Sequence, residues 1–144
     1  MRIDVNVTHD LPELSAKVTD AVEYAVKLTA DDAKKNLWIN SPIDTGRLSL
    51  SWRQNRISQL RYMVYTKVKY AKWVNDGTGI YGPTGRPITP KRAKYLRFEI
   101  NGQVIYAKSV RGQKGQKYVE KSVTQTEQRK SSFVSQALSR AGLI

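Results

Sequence analysis

The segment Ser41-Pro-Ile-Asp-Thr-Gly-Arg-Leu48 decides the fold, because it separates a long helical pattern from a series of strand patterns. From about Pro12 to Trp38, apolar residues recur at three- and four-residue steps, which predicts one long helix. The dipeptide Ser41-Pro42 ends this helix, because the residue before a proline disfavours the α conformation. We expect a turn next, in which the Asp44 carboxylate accepts backbone N–H groups and Gly46 adopts a positive φ.

Strand patterns lie on both sides of the long helix. Residues 3–7 and 48–52 alternate apolar with polar side chains, which predicts two half-buried strands. Residues 62–68 are rich in aromatic and β-branched side chains and are predicted to form a partner strand.

The most distinct hairpin pattern surrounds Asn101-Gly102, a dipeptide that favours a type I′ turn. It joins Leu96–Ile100 to Gln103–Tyr106 and predicts that Ile100 faces Gln103 and that Phe98 faces Ile105. In that register, one face of the hairpin carries Leu96, Phe98, Ile100 and Ile105.

A second helical pattern, from about Tyr118 to Ala141, closes the chain, with Gly142 placed to end it. The elements together predict an α+β fold in one domain, residues 1–144: an antiparallel sheet of four to five strands packed by the N-terminal and C-terminal helices. Two glycine-rich basic connections, about residues 77–94 and 108–117, are predicted to be mobile loops.

Charge is the strongest feature of the composition. The 144 residues include 25 Lys/Arg and 12 Asp/Glu, a net charge of +13. The balance is −2 over residues 1–40, +9 over residues 41–100 and +6 over residues 101–144. Such a charge favours a polyanionic partner, either nucleic acid or an acidic protein surface. A surface kept soluble by its like charge is the alternative.

Other compositional features exclude whole classes of site. The chain has no cysteine, so it has neither disulfides nor thiolate metal sites. No run of about 18 apolar residues predicts a membrane span, and residues 1–8 lack the apolar core of a signal peptide. We therefore expect no membrane association and a bacterial or phage-infected cytoplasm as the place of synthesis.

Three short motifs are typical of enzymes, but each has a simpler interpretation. Asp44-Thr45-Gly46 is the triplet of aspartic proteases, yet it follows a predicted helix end rather than a strand. Gly77-Thr-Gly-Ile-Tyr-Gly82 matches the dinucleotide fingerprint, yet Pro83 follows and no helix begins there. His9 is the only histidine, and helix capping explains it and Asp10. We expect no enzyme, no cofactor and no metal, and an enzyme built on Asp44 is the weakest of the alternatives.

Nucleic-acid binding is the stronger alternative. Basic and aromatic residues are adjacent in Arg61-Tyr62, Lys69-Tyr70, Lys72-Trp73 and Lys94-Tyr95, a mixture that suits phosphate contacts beside stacking faces. No recognisable reading module is present, however. A free-standing basic DNA- or RNA-binding module therefore stays open as an interpretation.

A second motif, Tyr70-Ala-Lys-Trp-Val-Asn-Asp-Gly-Thr-Gly79, follows the first after about twenty residues. Together, the two motifs resemble those of a family of tailed-bacteriophage neck proteins, the tail-completion or head–tail joining type of minor tail component. Their order, their spacing and the strands between them agree over about residues 10–80. The residues that carry the resemblance are Asp44, Thr45, Gly46 and Leu48 in the first motif and Tyr70, Ala71, Gly77, Thr78 and Gly79 in the second.

The resemblance implies a virion structural subunit of the neck, assembled in the host cytoplasm. Such subunits are expected to form a homo-oligomeric ring, six-fold in this interpretation, that links the portal and stopper complex to the tail tube and lets DNA pass. A ring that closes needs two different, complementary faces on each subunit.

The charge distribution suggests where these contacts lie. One candidate subunit interface is the mildly acidic first helix, at Asp20, Glu23, Asp31 and Asp32. The candidate contacts to DNA in the lumen, or to a partner ring, are Arg86, Lys91, Arg92 and Lys94, or Arg111, Lys114 and Lys117.

Overall fold

Two long helices pack along each other. In the computed structural model, which describes residues 1–7 and 16–144, α1 spans Ala16–Asn40 and α3 spans Tyr118–Arg140. Polar side chains join them as well as apolar ones: Asn36 Nδ2 donates to Thr126 Oγ1 over 2.9 Å. Such buried hydrogen bonds fix how one helix is placed along the other, because a polar group left unpaired there would be costly.

A three-stranded antiparallel sheet packs on α1. Its strands are β1 (Arg2–Asn6), β2 (Arg53–Ser58) and β3 (Arg61–Tyr65), in the order β1-β3-β2. The apolar core between helix and sheet is formed by Val26, Ala30 and Tyr62, with Val5 and Val22 packed against it. The predicted first strand and the predicted strand from residue 62 are therefore both present.

The predicted strand over residues 48–52 is wrong. Residues Ser49–Ser51 form a turn of 3₁₀ helix, and β2 begins only at Arg53. Serine hydroxyls explain the difference, because Ser49 Oγ donates to the Gly46 carbonyl over 3.0 Å and Ser51 Oγ donates to the Leu48 carbonyl over 2.6 Å. These bonds to carbonyls three residues back favour a helical turn over an extended strand.

The described residues divide into two compact units. Unit 1 comprises Met1–Val68 and Tyr118–Ile144, with α1, α3 and the three-stranded sheet. Unit 2 comprises Lys69–Lys117, with the short helix α2 (Ala71–Asp76), a 3₁₀ turn at Gly79–Tyr81, and the strands β4 (Leu96–Ile100) and β5 (Gln103–Ala107).

The hairpin prediction is confirmed. Strands β4 and β5 pair antiparallel with Ile100 opposite Gln103 and Phe98 opposite Ile105. Asn101 and Gly102 both have positive φ, at 51° and 79°, as a type I′ turn requires.

The α+β class with its two long helices is also confirmed, but the single sheet of four to five strands is wrong. The strands form one sheet of three and another of two, because β1 takes the free edge of β3, and β4 pairs only with β5 among the described strands. The first predicted helix runs to Asn40 rather than Trp38, whereas residues 12–15 of that prediction lie outside the described residues, as do His9 and Asp10. Among residues 1–7 and 16–144, neither long helix is apolar enough to cross a membrane.

Candidate functional site

The first sequence motif joins the end of α1 to the start of β2. Ser41 Oγ donates to the Leu37 carbonyl and accepts a hydrogen bond from Trp52 Nε1 over 2.9 Å. Trp52 in turn packs edge-on against Tyr118, with 6.4 Å between the ring centroids. Ser41, Trp52 and Tyr118 are all at least 97% buried, and their contacts join the end of α1 to the start of α3 within unit 1.

The turn inside that motif is exposed. Gly46 has φ of +79° and leads into the 3₁₀ turn, as its predicted role requires, and Leu48 is buried. Asp44 and Thr45 lie on the surface, and Ile43 beside them is 75% exposed. The residues described form no cluster of His, Asp and Glu that would hold a metal ion. The structure therefore places Asp44 in a solvent-exposed turn.

The second motif forms a helical turn followed by a close crossing of two backbones. Tyr70 precedes α2 and accepts a hydrogen bond from the Val74 N–H, and Ala71 is buried. After α2, the Thr78 N–H donates to the Gln113 carbonyl over 2.9 Å, and the Gln113 N–H donates back to Thr78 Oγ1 over 3.0 Å. The motif residues therefore bind a segment more than thirty residues further along the chain.

Four glycines allow the two backbone segments, 77–79 and 111–115, to lie this close together. They are Gly77, Gly79, Gly112 and Gly115, and we call this site the glycine crossing. A Cβ atom on Gly79 would lie 2.0 Å from the Arg111 carbonyl oxygen, and one on Gly112 would lie 2.2 Å from the Thr78 carbonyl oxygen. No side chain fits at such distances, because both obstacles are backbone atoms. The Gly-Thr-Gly of the motif thus has a structural explanation that needs no bound nucleotide.

The sequence reasoning missed this crossing. It treated residues 77–94 and 108–117 as two separate loops, whereas the structure joins them through Thr78 with Gln113, Ile80 with Arg111, and Ile88 with Val110. Gly112 and Gly115, three residues apart in the second loop, were the available signal. Whether the paired segments are mobile stays a prediction.

Most of the charge belongs to unit 2. Its 49 residues include 11 Lys/Arg and two Asp/Glu, a net charge of +9 out of the +13 of the whole chain. All seven candidate contact residues are there, and all are exposed: Arg86, Lys91, Arg92, Lys94, Arg111, Lys114 and Lys117. The ion pairs found among the described residues all join residues of unit 1. Because the net charge of +9 already counts Asp76 and Glu99, the positive charge of unit 2 exceeds what its own carboxylates can neutralise.

Two of these lysines lie beside aromatic rings. Lys114 Nζ is 5.8 Å from the centroid of the Tyr81 ring, and Lys94 Nζ is 5.8 Å from that of Tyr95. Tyr81 and Tyr95 are themselves exposed. Cations beside exposed aromatic rings can bind both phosphates and bases. The sequence suggested the pair of Lys94 with Tyr95, but not that of Lys114 with Tyr81.

Two of the four acidic candidates on α1 form hydrogen bonds and ion pairs with other residues of unit 1. Asp32 is buried and accepts hydrogen bonds from Arg129 of α3 and from Asn36. Glu23 pairs with Arg56 of β2 and also accepts from Gln59. These carboxylates hold helix α1 to its neighbours, which is a role that the sequence did not predict.

The other two acidic candidates are exposed. Asp31 accepts a hydrogen bond from Lys27 over 2.7 Å and another from Gln54 over 2.9 Å. The bond to this carboxylate raises the pKa of Lys27. Asp20 lies exposed in the second turn of α1. As candidates for a contact between subunits, Asp20 and Asp31 are thus the accessible ones of the four.

Unit 1 also contains an apolar groove of about 570 Å³, which no sequence pattern had indicated. Small aliphatic side chains from α1, α3 and β1 line it, among them Val5, Ala21, Val22, Val134 and Leu138. The polar lining includes Thr29 and Lys130. We call this surface the α1–α3 groove.

Comparison with known protein families gives one match. The family described as "Bacteriophage HK97-gp10, putative tail-component" matches residues 7–77, a stretch that contains the first motif entirely and the second as far as Gly77. No curated protein and no solved structure matches the chain significantly. The resemblance to a phage neck or tail-completion family is therefore confirmed over that stretch.

Proposed function

We propose that the chain is a structural subunit of the head–tail connector, because the model of the HK97-gp10-like family of phage tail components matches residues 7–77. In this role it acts as a tail-completion or head–tail joining protein. Copies of it form a ring that links the portal and stopper complex to the tail tube and lets DNA pass. The ring is located in the neck of the virion and assembles in the host cytoplasm.

The single observation that carries the proposal beyond the family is the separation of charge between the two units. Unit 2 has exposed Lys and Arg side chains and a net charge of +9, whereas unit 1 has most of the carboxylates, and the ion pairs of Glu23, Asp31 and Asp32 lie within it. A ring whose subunits turn unit 2 toward the lumen presents a positive surface to a polyanion without reading its sequence. A positive surface turned toward an acidic neighbouring ring would use the same residues.

The two motifs support a structural role rather than a catalytic one. Ser41 and Trp52 anchor the end of α1, and the glycine crossing fixes the backbone of unit 2. Both motifs thus do their work inside the protomer. This agrees with a family of tail components and gives no support to chemistry at Asp44.

Native mass spectrometry of the purified protein across a range of salt concentrations tests the proposal. We expect closed oligomers of one stoichiometry without DNA, and we expect them to persist when salt has screened the surface charge. A protein that stays monomeric at every salt concentration, including when it is mixed with the tail-tube protein, would contradict the ring.

The charge of unit 2 also favours a second candidate, a free-standing DNA- or RNA-binding module. In that case the monomer binds duplex DNA, and the logarithm of its affinity falls with the logarithm of the salt concentration by about 0.9 per neutralised phosphate. Titrating the same preparation with a DNA duplex separates the candidates, because the ring forms without nucleic acid and the module needs no ring.

A further inference from the structure

Exposed aromatic rings are concentrated in unit 2. The chain has three Trp, eight Tyr and two Phe residues, all of which lie in its described part. Five of these rings are exposed, and four of the five belong to unit 2: Trp73, Tyr81, Tyr95 and Tyr106. The same unit has the net charge of +9. Exposed rings among cations are the components with which proteins bind single strands of nucleic acid.

One ring–cation pair lies at the glycine crossing. Lys114 Nζ is 5.8 Å from the centroid of the Tyr81 ring, although the two residues are 33 positions apart in the sequence. Tyr81 is 39% exposed, and Lys114 is exposed as well. The ring comes from one backbone segment of the crossing and the cation from the other, so the pair exists only in the folded protein.

Hydrogen bonds fix the backbone on both sides of this pair. The Thr78 N–H donates to the Gln113 carbonyl over 2.9 Å, next to Lys114. The Ile80 N–H donates to the Arg111 carbonyl over 2.8 Å, next to Tyr81. Because the two segments are joined at these points, the ring and the lysine are already close together before any ligand arrives. A ligand that uses both therefore loses little free energy in ordering the site.

The ring determines which form of nucleic acid the pair suits. A base can stack on Tyr81 only when its face is free, as in an unpaired strand, whereas bases inside a duplex are stacked on each other. The ammonium group of Lys114 is on a flexible stem and can move from the ring to a phosphate. A duplex thus offers a phosphate to the lysine but no base to the ring.

Lys94 and Tyr95 repeat the arrangement before strand β4. Their ring–cation distance is also 5.8 Å, and both side chains are exposed. Stacking on such rings does not depend on sequence, because every base has an aromatic face. A site of this kind suits DNA of any sequence.

We propose that unit 2 binds an unpaired DNA strand, with a base stacked on Tyr81 and a phosphate bound by Lys114. This inference rests on the proposed function, in which DNA passes through the ring, and it names the form of DNA that the site takes. The exposed ring favours DNA over an acidic protein surface, which would need the cations of unit 2 but not its aromatic side chains.

Fluorescence anisotropy with two labelled probes of equal length, an oligodeoxythymidylate and a DNA duplex, tests the inference. Tyr81→Leu removes the ring and keeps an apolar side chain. We expect it to weaken binding of the oligodeoxythymidylate about tenfold and binding of the duplex less than about twofold, because only the unpaired strand stacks. Tyr81→Phe keeps the ring and should leave both affinities unchanged.

Two further variants complete the comparison. Trp38→Leu removes a ring of α1 that is 51% exposed but lies outside unit 2, and it should leave both affinities unchanged. Lys114→Gln should weaken binding of both probes. For the single strand, it should reduce the slope of the logarithm of affinity against the logarithm of salt concentration by about 0.7. Circular dichroism checks that every variant is folded.

Equal binding of the oligodeoxythymidylate by the wild-type protein and Tyr81→Leu would overturn the inference. An equal loss of affinity for the duplex would overturn it too, because the ring would then not distinguish the two forms of DNA. A protein that binds neither probe leaves an acidic protein as the partner of unit 2 and also overturns it. Closed oligomers in the native mass spectra would keep the proposed ring in each of these cases, whereas their absence would count against the proposed function.

Discussion

The indole N–H of Trp52 donates to the hydroxyl oxygen of Ser41 over 2.9 Å, and both side chains are at least 97% buried. The same hydroxyl donates to the Leu37 carbonyl, so one serine completes the end of α1 and satisfies the indole. The small residue that opens the first motif is thus needed for its hydrogen bonds as well as for its size.

Removing the hydroxyl should destabilise unit 1. Ser41→Ala leaves the Trp52 N–H buried without an acceptor, which costs about 1–3 kcal/mol in the free energy of unfolding. Urea denaturation measures the change. Thr45→Ala, in the exposed turn of the same motif, is the control and should alter stability by less than about 0.5 kcal/mol. Equal effects of the two substitutions would contradict the role of Ser41.

The glycine crossing gives a sharper comparison. Gly79 and Gly85 have the same φ of +62°, but a Cβ on Gly79 meets the Arg111 carbonyl at 2.0 Å, whereas one on Gly85 meets nothing within 4 Å. Gly85→Ala should cost only the backbone strain, about 1–2 kcal/mol. Gly79→Ala must also separate the two backbones and should cost about 3 kcal/mol or more. Hydrogen exchange at the Ile80 and Gln113 amides should accelerate only in the Gly79 variant.

The buried carboxylate of Asp32 should contribute more to the stability of the protein than the exposed ion pair of Lys27 with Asp31. Asp32→Ala removes the acceptor of Arg129 and one of the two acceptors of Asn36 Nδ2, which keeps Thr126, and should destabilise the protein by about 2 kcal/mol. Lys27→Ala removes an exposed pair with Asp31 and should cost about 0.5 kcal/mol or less. Thermal unfolding of both variants measures the two losses of stability. A larger loss of stability for Lys27→Ala than for Asp32→Ala would contradict this prediction.

Charge removal in unit 2 should affect polyanion binding without affecting the fold. Replacing Arg86, Lys91, Arg92 and Lys94 by glutamine removes exposed cations that have no ion pairs among the described residues. The salt dependence of duplex DNA affinity should fall by about 0.9 for each phosphate contact that is lost. Lys34→Gln with Lys35→Gln, on α1 in unit 1, is the control and should leave the dependence unchanged. A larger effect of the control would place the polyanion surface on unit 1.

The carboxylate of Asp44, in the Asp-Thr-Gly triplet, should not be needed for the function of the protein. Asp44 is exposed in a turn, whereas the catalytic carboxylates of aspartic proteases are a closely spaced pair that shares one proton. Asp44→Asn should therefore leave both stability and virion assembly unchanged. Loss of assembly in a variant that is folded normally would revive the enzyme interpretation.

The sequence predicted the elements that depend on strong local signals. The periodicity of α1 and α3, and the Asn101-Gly102 turn, each determine a conformation without help from distant residues. The strand over residues 48–52 failed because its alternation was real but the Ser49 and Ser51 hydroxyls favoured a helical turn. Local competition of that kind is not visible in apolar periodicity alone.

Long-range pairing was the part that the sequence could not supply. No local pattern states that Gly79 lies against Arg111, or that Asp32 reaches Arg129 across 97 residues. The uneven distribution of charge along the chain was visible in the sequence. Only the tertiary contacts show that most of the net charge lies in one compact unit. The α1–α3 groove, too, exists only because residues from three separated elements converge.

The central claim is that this chain joins heads to tails, and electron microscopy of lysates from an infection in which it is absent tests that claim most directly. We expect filled heads and complete, separate tails, and we expect joined virions to return when the protein is supplied. Normal joined virions in its absence, or heads without DNA, would contradict the account.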